Sequence, residues 1–152
     1  MPISLPSKKL IQKSKLVKAI DPEETLQISK NGRIKNKFYP TVDECEYWFK
    51  IINKEVFESI LPDFDDIIIK RLRGAWAYCP MYFSIPDKEI IAELEMNNYV
   101  KNHTHFLNVL AHEMVHLYQA HTYRDSNHGP TFYEWRPRFQ EFGLFLESRK
   151  GY

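Results

Sequence analysis

The sequence predicts a single α+β domain, a small three-stranded sheet packed on helices, and three observations carry that prediction. Segments with helical apolar periodicity flank a central stretch of short strand-like runs between Asp66 and Leu94. One downstream segment is apolar on most of its helical circumference, as a helix buried in a core must be. The chain has 152 residues, 43% of them hydrophobic, which suffices to bury about 70% of the surface of the unfolded chain without disulfides or oligomerisation.

The elements follow in order. Asp21-Pro22-Glu23-Glu24 puts an acid at the N-cap, Pro at N1 and Glu at N3, and so predicts a short helix through Leu26 and Ile28 that Asn31-Gly32 ends. A hairpin about Asn31-Gly32 is the alternative. Thr41 to Glu44 repeats the capping spacing, and Cys45, Trp48, Phe49, Ile52, Val56 and Ile60 then share one face, which predicts a long amphipathic helix ending before Pro62. Residues 67–71, 75–79 and 89–94 read as three strands, separated by Gly74 and by a loop from Pro80 to Pro86. Asn102 or Thr104 caps the buried helix, which runs through Phe106, Leu107, Val109, Leu110, Met114, Val115 and Leu117. After a polar loop, Tyr123 to His128, Gly129-Pro130 opens a last helix with Phe132, Trp135, Phe139 and Phe142 on one face. It ends at Gly143, and Pro137 is expected to kink or split it.

The charge is uneven along the chain. Residues 1–40 hold nine of the 21 Lys and Arg but three of the 20 Asp and Glu, net +6, which leaves 12 against 17, net −5, for residues 41–152. A basic N-terminal extension, 1–40, therefore precedes the main domain, 41–152. Such an arm suits a nucleic acid or another polyanion, and it also reads as a solvated, partly disordered terminus. No apolar run approaches the roughly 20 residues of a membrane span, and the first nine residues have no apolar region of secretory type. Cys45 and Cys79 form no C-x-x-C pair and are expected to be reduced core thiols of a cytosol-like compartment.

The chemistry concentrates in His112-Glu113-Met114-Val115-His116, an H-E-x-x-H run on the buried helix. Two imidazoles four residues apart are about 40° apart around a helix and can share one metal ion, with a carboxylate beside it. With six His and 13 Glu, a shuffled chain would contain this run only about 0.02 times. Two histidines merely packed in a core would leave two rings and a carboxylate short of partners, which is costly. Zinc acidifies water, and Glu113 can then serve as general base. A catalytic zinc has three protein ligands, and His128, in the loop that reverses the chain 12 residues after His116, is the expected third. His121, His103 and His105 compete. His121 is about 180° from His112 around a continuing helix, and the other two lie two turns or more upstream.

Residues from about Thr41 to Leu146 resemble the SprT-like zinc metallopeptidases, the family that includes the Spartan DNA-protein crosslink proteases. The resemblance rests on Phe49-Lys-Ile-Ile-Asn53 with Phe57 and Ile60-Leu61-Pro62, on Gly74-Ala-Trp-Ala-Tyr-Cys79, on Leu110-Ala-His-Glu-Met-Val-His116, and on His128-Gly-Pro-Thr-Phe132. The metzincin pattern is absent, because position 119 is Gln and position 122 is Thr. The resemblance implies a zincin-like fold, zinc on His112, His116 and His128, Glu113 as the catalytic group, and peptide-bond hydrolysis. It also implies DNA-associated or DNA-crosslinked proteins as substrates, with single-stranded or damaged DNA as partner. No cysteine follows Cys79 in this sequence, so that contact is expected to be made without a C-terminal zinc ribbon. The basic arm remains, together with Trp76 and Tyr78, which read first as core aromatics and second as base-stacking ones.

The expected function is thus a zinc-dependent endopeptidase, cytoplasmic or nucleoid-associated, or of the host cytoplasm or virion if the chain is viral. Substrate is expected to add as a strand to an exposed edge of the sheet, with DNA or a loop gating the site. Tyr118, Tyr123, Arg124 and Tyr133 are the candidates for oxyanion stabilisation. The rival reading is a non-enzymatic nucleic-acid-binding or virion-associated protein with structural zinc, which would need a fourth ligand and no base.

Overall fold

The fold is organised around one long buried helix. In a computed structural model, residues 3–30, 34, 36–84, 86 and 89–147 are described. Helices α1 (Lys8–Lys13), α2 (Lys15–Ala19), α3 (Pro22–Ile28) and α4 (Val42–Glu55) come first. Strands β1 (Ile67–Lys70), β2 (Ala77–Tyr78), β3 (Met81–Ser84), β4 (Glu89–Ala92) and β5 (Leu94–Asn97) follow, then α5 (His103–Tyr123), α6 (Pro130–Tyr133) and α7 (Arg136–Glu141). No helix among the described residues is long and apolar enough to cross a membrane.

A three-stranded sheet forms as expected, in the order β1-β5-β2, with a two-stranded pair beside it. β1 pairs parallel with β5 and β2 antiparallel with β5, while β3 and β4 form a separate antiparallel pair. The register of β2 on β5 continues unchanged into that of β3 on β4, so residues 77–84 and 89–97 make one bent ribbon. Pro80 lies at the break because it has no N–H for the ladder, although its carbonyl still accepts from Glu93 at 2.9 Å. The segment expected as a loop from Pro80 to Pro86 therefore contains β3, and the third strand extends beyond Leu94 to Asn97.

Helix α4 begins as its sequence requires, with Thr41 Oγ1 accepting from Glu44 N, but it ends at Glu55, short of the expected boundary before Pro62. Two side chains explain the early stop. Arg138, buried, donates to the carbonyls of Glu55 and Val56, and Asn53 pairs with both backbone groups of Leu61 at 3.0 and 3.1 Å. The chain turns back through Glu58 and Ser59, whose φ of 54° and 62° are left-handed, and Ile60 is left exposed.

α5 starts at the Asn102 cap and is buried along nearly its whole length, with Leu107, Leu110, Met114 and Val115 fully enclosed. It extends to Tyr123, further than the last apolar residue named, Leu117, and stops at Arg124 in the left-handed conformation. The final helix is split at Pro137 into α6 and α7, with Phe132, Trp135, Phe139 and Phe142 all buried. α3 forms behind Asp21, which accepts from Glu23 N, while Asn31 and Gly32 lie outside the described residues.

The basic N-terminal segment is helical and packed. Leu16 is fully buried in the main core. Glu55, at the end of α4, accepts from Ser14 Oγ at 2.6 Å, Lys15 N at 3.0 Å and Leu16 N at 3.2 Å, and so caps α2 from another helix. Glu24 similarly accepts from both Thr104 N and Thr104 Oγ1 at the start of α5. Replacing Glu55 with Ala strands three donors and is expected to cost about 3 kcal/mol in urea denaturation. A loss below about 0.5 kcal/mol would contradict this docking.

Candidate metal centre

The helical spacing of His112 and His116 brings their Nε2 atoms to 3.3 Å of each other on the buried face of α5. His128 arrives from the loop beyond α5, with its Nε2 3.2 Å from that of His116. Local chemistry shapes that loop. Arg124 stops the helix, Asn127 Oδ1 accepts from Gly129 N at 2.8 Å, and Asn127 Nδ2 donates to Asp125 at 2.9 Å. A Cβ at Gly129 would come within 2.9 Å of Asn127 Oδ1, so glycine keeps this turn tight. The ligand-capable nitrogens of the three imidazoles all lie within 4.8 Å of one another.

Phe132, at the start of the returning helix, forms the floor. Its ring stacks on His116 at 5.1 Å and meets the edges of His112 and His128 at 4.9 and 4.8 Å. Apolar periodicity puts Phe132 on the core face without a role at the site, and the His128-Gly-Pro-Thr-Phe132 spacing is the sequence signal of its place against the histidines.

Burial sets the electrostatics. It drives the His112 imidazolium well below the usual histidine range, helped by the neighbouring His116 and His128 and opposed by a hydrogen bond to the Glu147 backbone. Burial also brings His116 down to about 4, against a hydrogen bond to Gln119, and lowers His128. All three rings are therefore neutral near pH 7, the form that donates a lone pair to a metal. Glu113 is buried beside them, its carboxyl pushed up to about 8 by desolvation, and its Oε2 has no hydrogen-bond partner among the described residues.

These observations test whether a metal fits. Two nitrogens each about 2.0–2.1 Å from a tetrahedral zinc stand about 3.3–3.4 Å apart, and the Nε2 separations from His116 are 3.3 Å to His112 and 3.2 Å to His128. Three neutral imidazoles with converging nitrogens, next to a partnerless buried carboxylate oxygen, form a donor set that a divalent cation satisfies.

Comparison with protein-family profiles matches residues 45–149 to the SprT-like family. The chain belongs to the SprT-like family. Its matched region runs from α4 through the segment after α7 and contains the HExxH helix, the His128 loop and both sheets. The family's domain is of zincin-like metallopeptidase type, and the three-histidine group of this SprT-like chain could hold the metal. Comparison with curated proteins found no match.

The competing histidines lie elsewhere in this SprT-like domain. His103 packs among Phe38, Trp48 and Phe106, His105 accepts from Lys101 N while meeting the Trp76 ring, and His121 is exposed on the continuing helix. Trp76 is half-buried against the core and Tyr78 is exposed. Among the oxyanion candidates, Tyr118 packs on Trp135 and Tyr123, Arg124 lies over the Phe83 ring, and Tyr133 lies under Arg136. Cys79 passes near Glu113, whose charge adds to the effect of burial in raising the thiol, and burial also pushes Cys45 up to about 12. Both cysteines are free thiols.

The raised Glu113 value carries a stability consequence. Its folded-state value, about 8, exceeds the ordinary 4.5, so the unfolded chain loses this proton first and stability falls as pH rises between the two. Chelator-treated Glu113→Gln lacks that slope, and its stability advantage over chelator-treated wild type is expected to grow from about pH 5 to about pH 9. A pH-independent difference in melting temperature would contradict a buried, desolvated Glu113.

Proposed function

We propose that this chain is a zinc-dependent endopeptidase that hydrolyses peptide bonds of proteins associated with or crosslinked to nucleic acid. The observation that carries the reading is the convergence of three neutral imidazole nitrogens, at the spacing of a tetrahedral ion, beside a buried carboxyl with a partnerless oxygen. His112, His116 and His128 would hold the zinc, which when bound supplies Lewis acidity to the scissile carbonyl and acidifies water. Beside a bound dication Glu113 would give up the proton that burial otherwise keeps on it, and as a carboxylate it takes the proton of the attacking water and delivers it to the leaving amine. Phe132 keeps the floor of the site dry and limits the tilt of all three rings.

A closed structural zinc would need a fourth side chain, and among the described residues no other His, Cys, Asp or Glu joins the group. That favours a catalytic site over a structural one. The ribbon strand from Ala77 to Ser84 packs on α5 through β2 and has no strand on its outer edge among the described residues, which supports substrate binding by strand addition. Tyr82 and Phe83 are exposed on that strand. Glu113→Gln is expected to retain zinc while cleavage of casein and of the chain itself falls about 10²–10⁴-fold. Undiminished cleavage would end the role of Glu113.

A lysine-lined groove supports the nucleic-acid partner. Lys9, Lys13 and Lys15 from the N-terminal helices and Lys50 and Lys54 from α4 surround a groove of about 570 Å³ with Leu10 and Ile51 on its apolar side. None of the five is in an ion pair with an acid among the described residues. Five ammonium groups against the one carboxylate of Glu55 around the groove suit the spaced phosphates of a single strand. Deleting residues 1–40 would remove buried Leu16, so charge reversal is the cleaner probe. Lys13→Glu with Lys54→Glu is expected to weaken single-stranded DNA binding and flatten its log–log salt slope by about 0.7 per lost phosphate contact, with peptide hydrolysis unchanged. An unaltered slope would remove the groove from the reading.

A further inference from the structure

Gln119 lies one turn beyond His116 on α5 and is fully buried. Its amide uses both of its acceptor and both of its donor positions. Oε1 accepts from the backbone N–H of Asn127 at 3.2 Å and lies 2.9 Å from His116 Nδ1. Nε2 donates to Thr131 Oγ1 at 3.0 Å and to Asn127 Oδ1 at 3.4 Å.

These bonds fix a proton. A backbone N–H can only donate, so the amide atom facing Asn127 N must be the carbonyl oxygen. That oxygen can only accept, so the proton of a neutral His116 sits on Nδ1. Ser126 Oγ, 3.1 Å from the same nitrogen, is placed to share that N–H. His116 Nε2 is then left with a bare lone pair, directed at the space it shares with the Nε2 atoms of His112 and His128. Without a fixed acceptor at Nδ1 the ring could place its proton on Nε2 and block coordination.

The same side chain also holds the third histidine. Asn127 precedes His128 and is gripped by Gln119 through both backbone and side chain, while Thr131 secures the far end of the loop. His128 is itself exposed, so the position of its ring depends on these neighbours rather than on enclosure.

We propose that Gln119 is a positioning residue of the metal centre: it selects the Nδ1–H tautomer of His116 and ties the 125–131 loop to α5 so that His128 meets the same ion. The inference rests on the three-histidine site proposed above and adds a residue to which neither the motif nor the spacing assigned a role.

The test uses the full chain. Long-range proton–nitrogen correlation spectra of chelator-treated, ¹⁵N-histidine-labelled protein near neutral pH report the tautomer of His116, and competition with a chelator reports zinc affinity. Wild type is expected to show His116 as Nδ1–H. Gln119→Leu, similar in volume, is expected to mix the tautomers and weaken zinc binding about 10–100-fold. Gln119→Glu keeps an acceptor for Nδ1–H while losing the donors to the loop, so it should restore the tautomer and bind zinc with intermediate affinity. A loop tie without control of the tautomer would leave the histidine spectrum unmoved in Gln119→Leu, and that result overturns the proposal. So does a wild type with Nε2–H on His116, or a folded Gln119→Leu whose zinc affinity is within about twofold of wild type. Should Gln119→Leu fail to fold, the wild-type tautomer and Gln119→Glu decide, a mixed tautomer in the latter counting against it. A wild type that takes up no zinc sinks the metal-centre reading and the proposal with it, whereas a zinc-binding wild type indifferent to Gln119→Leu sinks the proposal alone.

Discussion

Two imidazoles and a carboxyl sit on the most buried helix of the fold, where apolar packing alone does not satisfy them. His112, Glu113 and His116 lie on α5, where Leu110, Met114, Val115 and Leu117 are fully enclosed. Burying such groups without compensation would cost several kcal/mol, a sizeable part of the net stability of a domain this size. The fold answers by bringing the Nε2 atoms of His112 and His116 together and His128 to the same place from a loop. The core and the site are thus one construction, and a cation at that point would satisfy groups that otherwise oppose folding.

The remaining elements serve that arrangement from two sides. On one side, the ribbon of residues 77–84 and 89–97 packs on α5 through β2 and β4 and leaves one edge unpaired among the described residues. From the other side, the split final helix returns Phe132 to the three rings. The N-terminal helices act at a distance. Their docking through Leu16 and Glu55 fixes the lysines of residues 9–15 against Lys50 and Lys54, so that a segment with a net positive charge becomes a channel on a folded body. A polyanion held there would carry proteins attached to it onto the chain that holds the metal centre, a local-concentration effect that needs no specificity in the cleavage site.

What was legible in the sequence was what local rules govern. H-E-x-x-H requires only helical periodicity to bring two rings together, and Thr41, Asp21 and Asn102 cap the helices they precede. Pro137 split its helix for a reason visible in one residue. The misses share a different cause. α4 ends early because Arg138, 82 residues beyond Val56, takes its last carbonyls, and no periodicity within α4 reports that. β3 was hidden because Tyr82 and Phe83 are both exposed, so the alternation that marks a half-buried strand is missing. Ser14 and Lys15 read as solvated polar residues because their acceptor, Glu55, is supplied by another helix. The role of Gln119 depends on Asn127 and Thr131, which approach it only after the chain has reversed.

The central claim is that His112, His116 and His128 hold one zinc ion and leave its remaining position to water and substrate. X-ray absorption at the zinc edge of the zinc-loaded full chain tests it most directly, since imidazole rings give characteristic outer-shell scattering and sulfur is distinguishable by distance. The account predicts three imidazoles and one further light atom, all about 2.0–2.1 Å from the metal. A sulfur ligand at about 2.3 Å, which Cys79 beside Glu113 could supply, or fewer than three imidazoles, would contradict it.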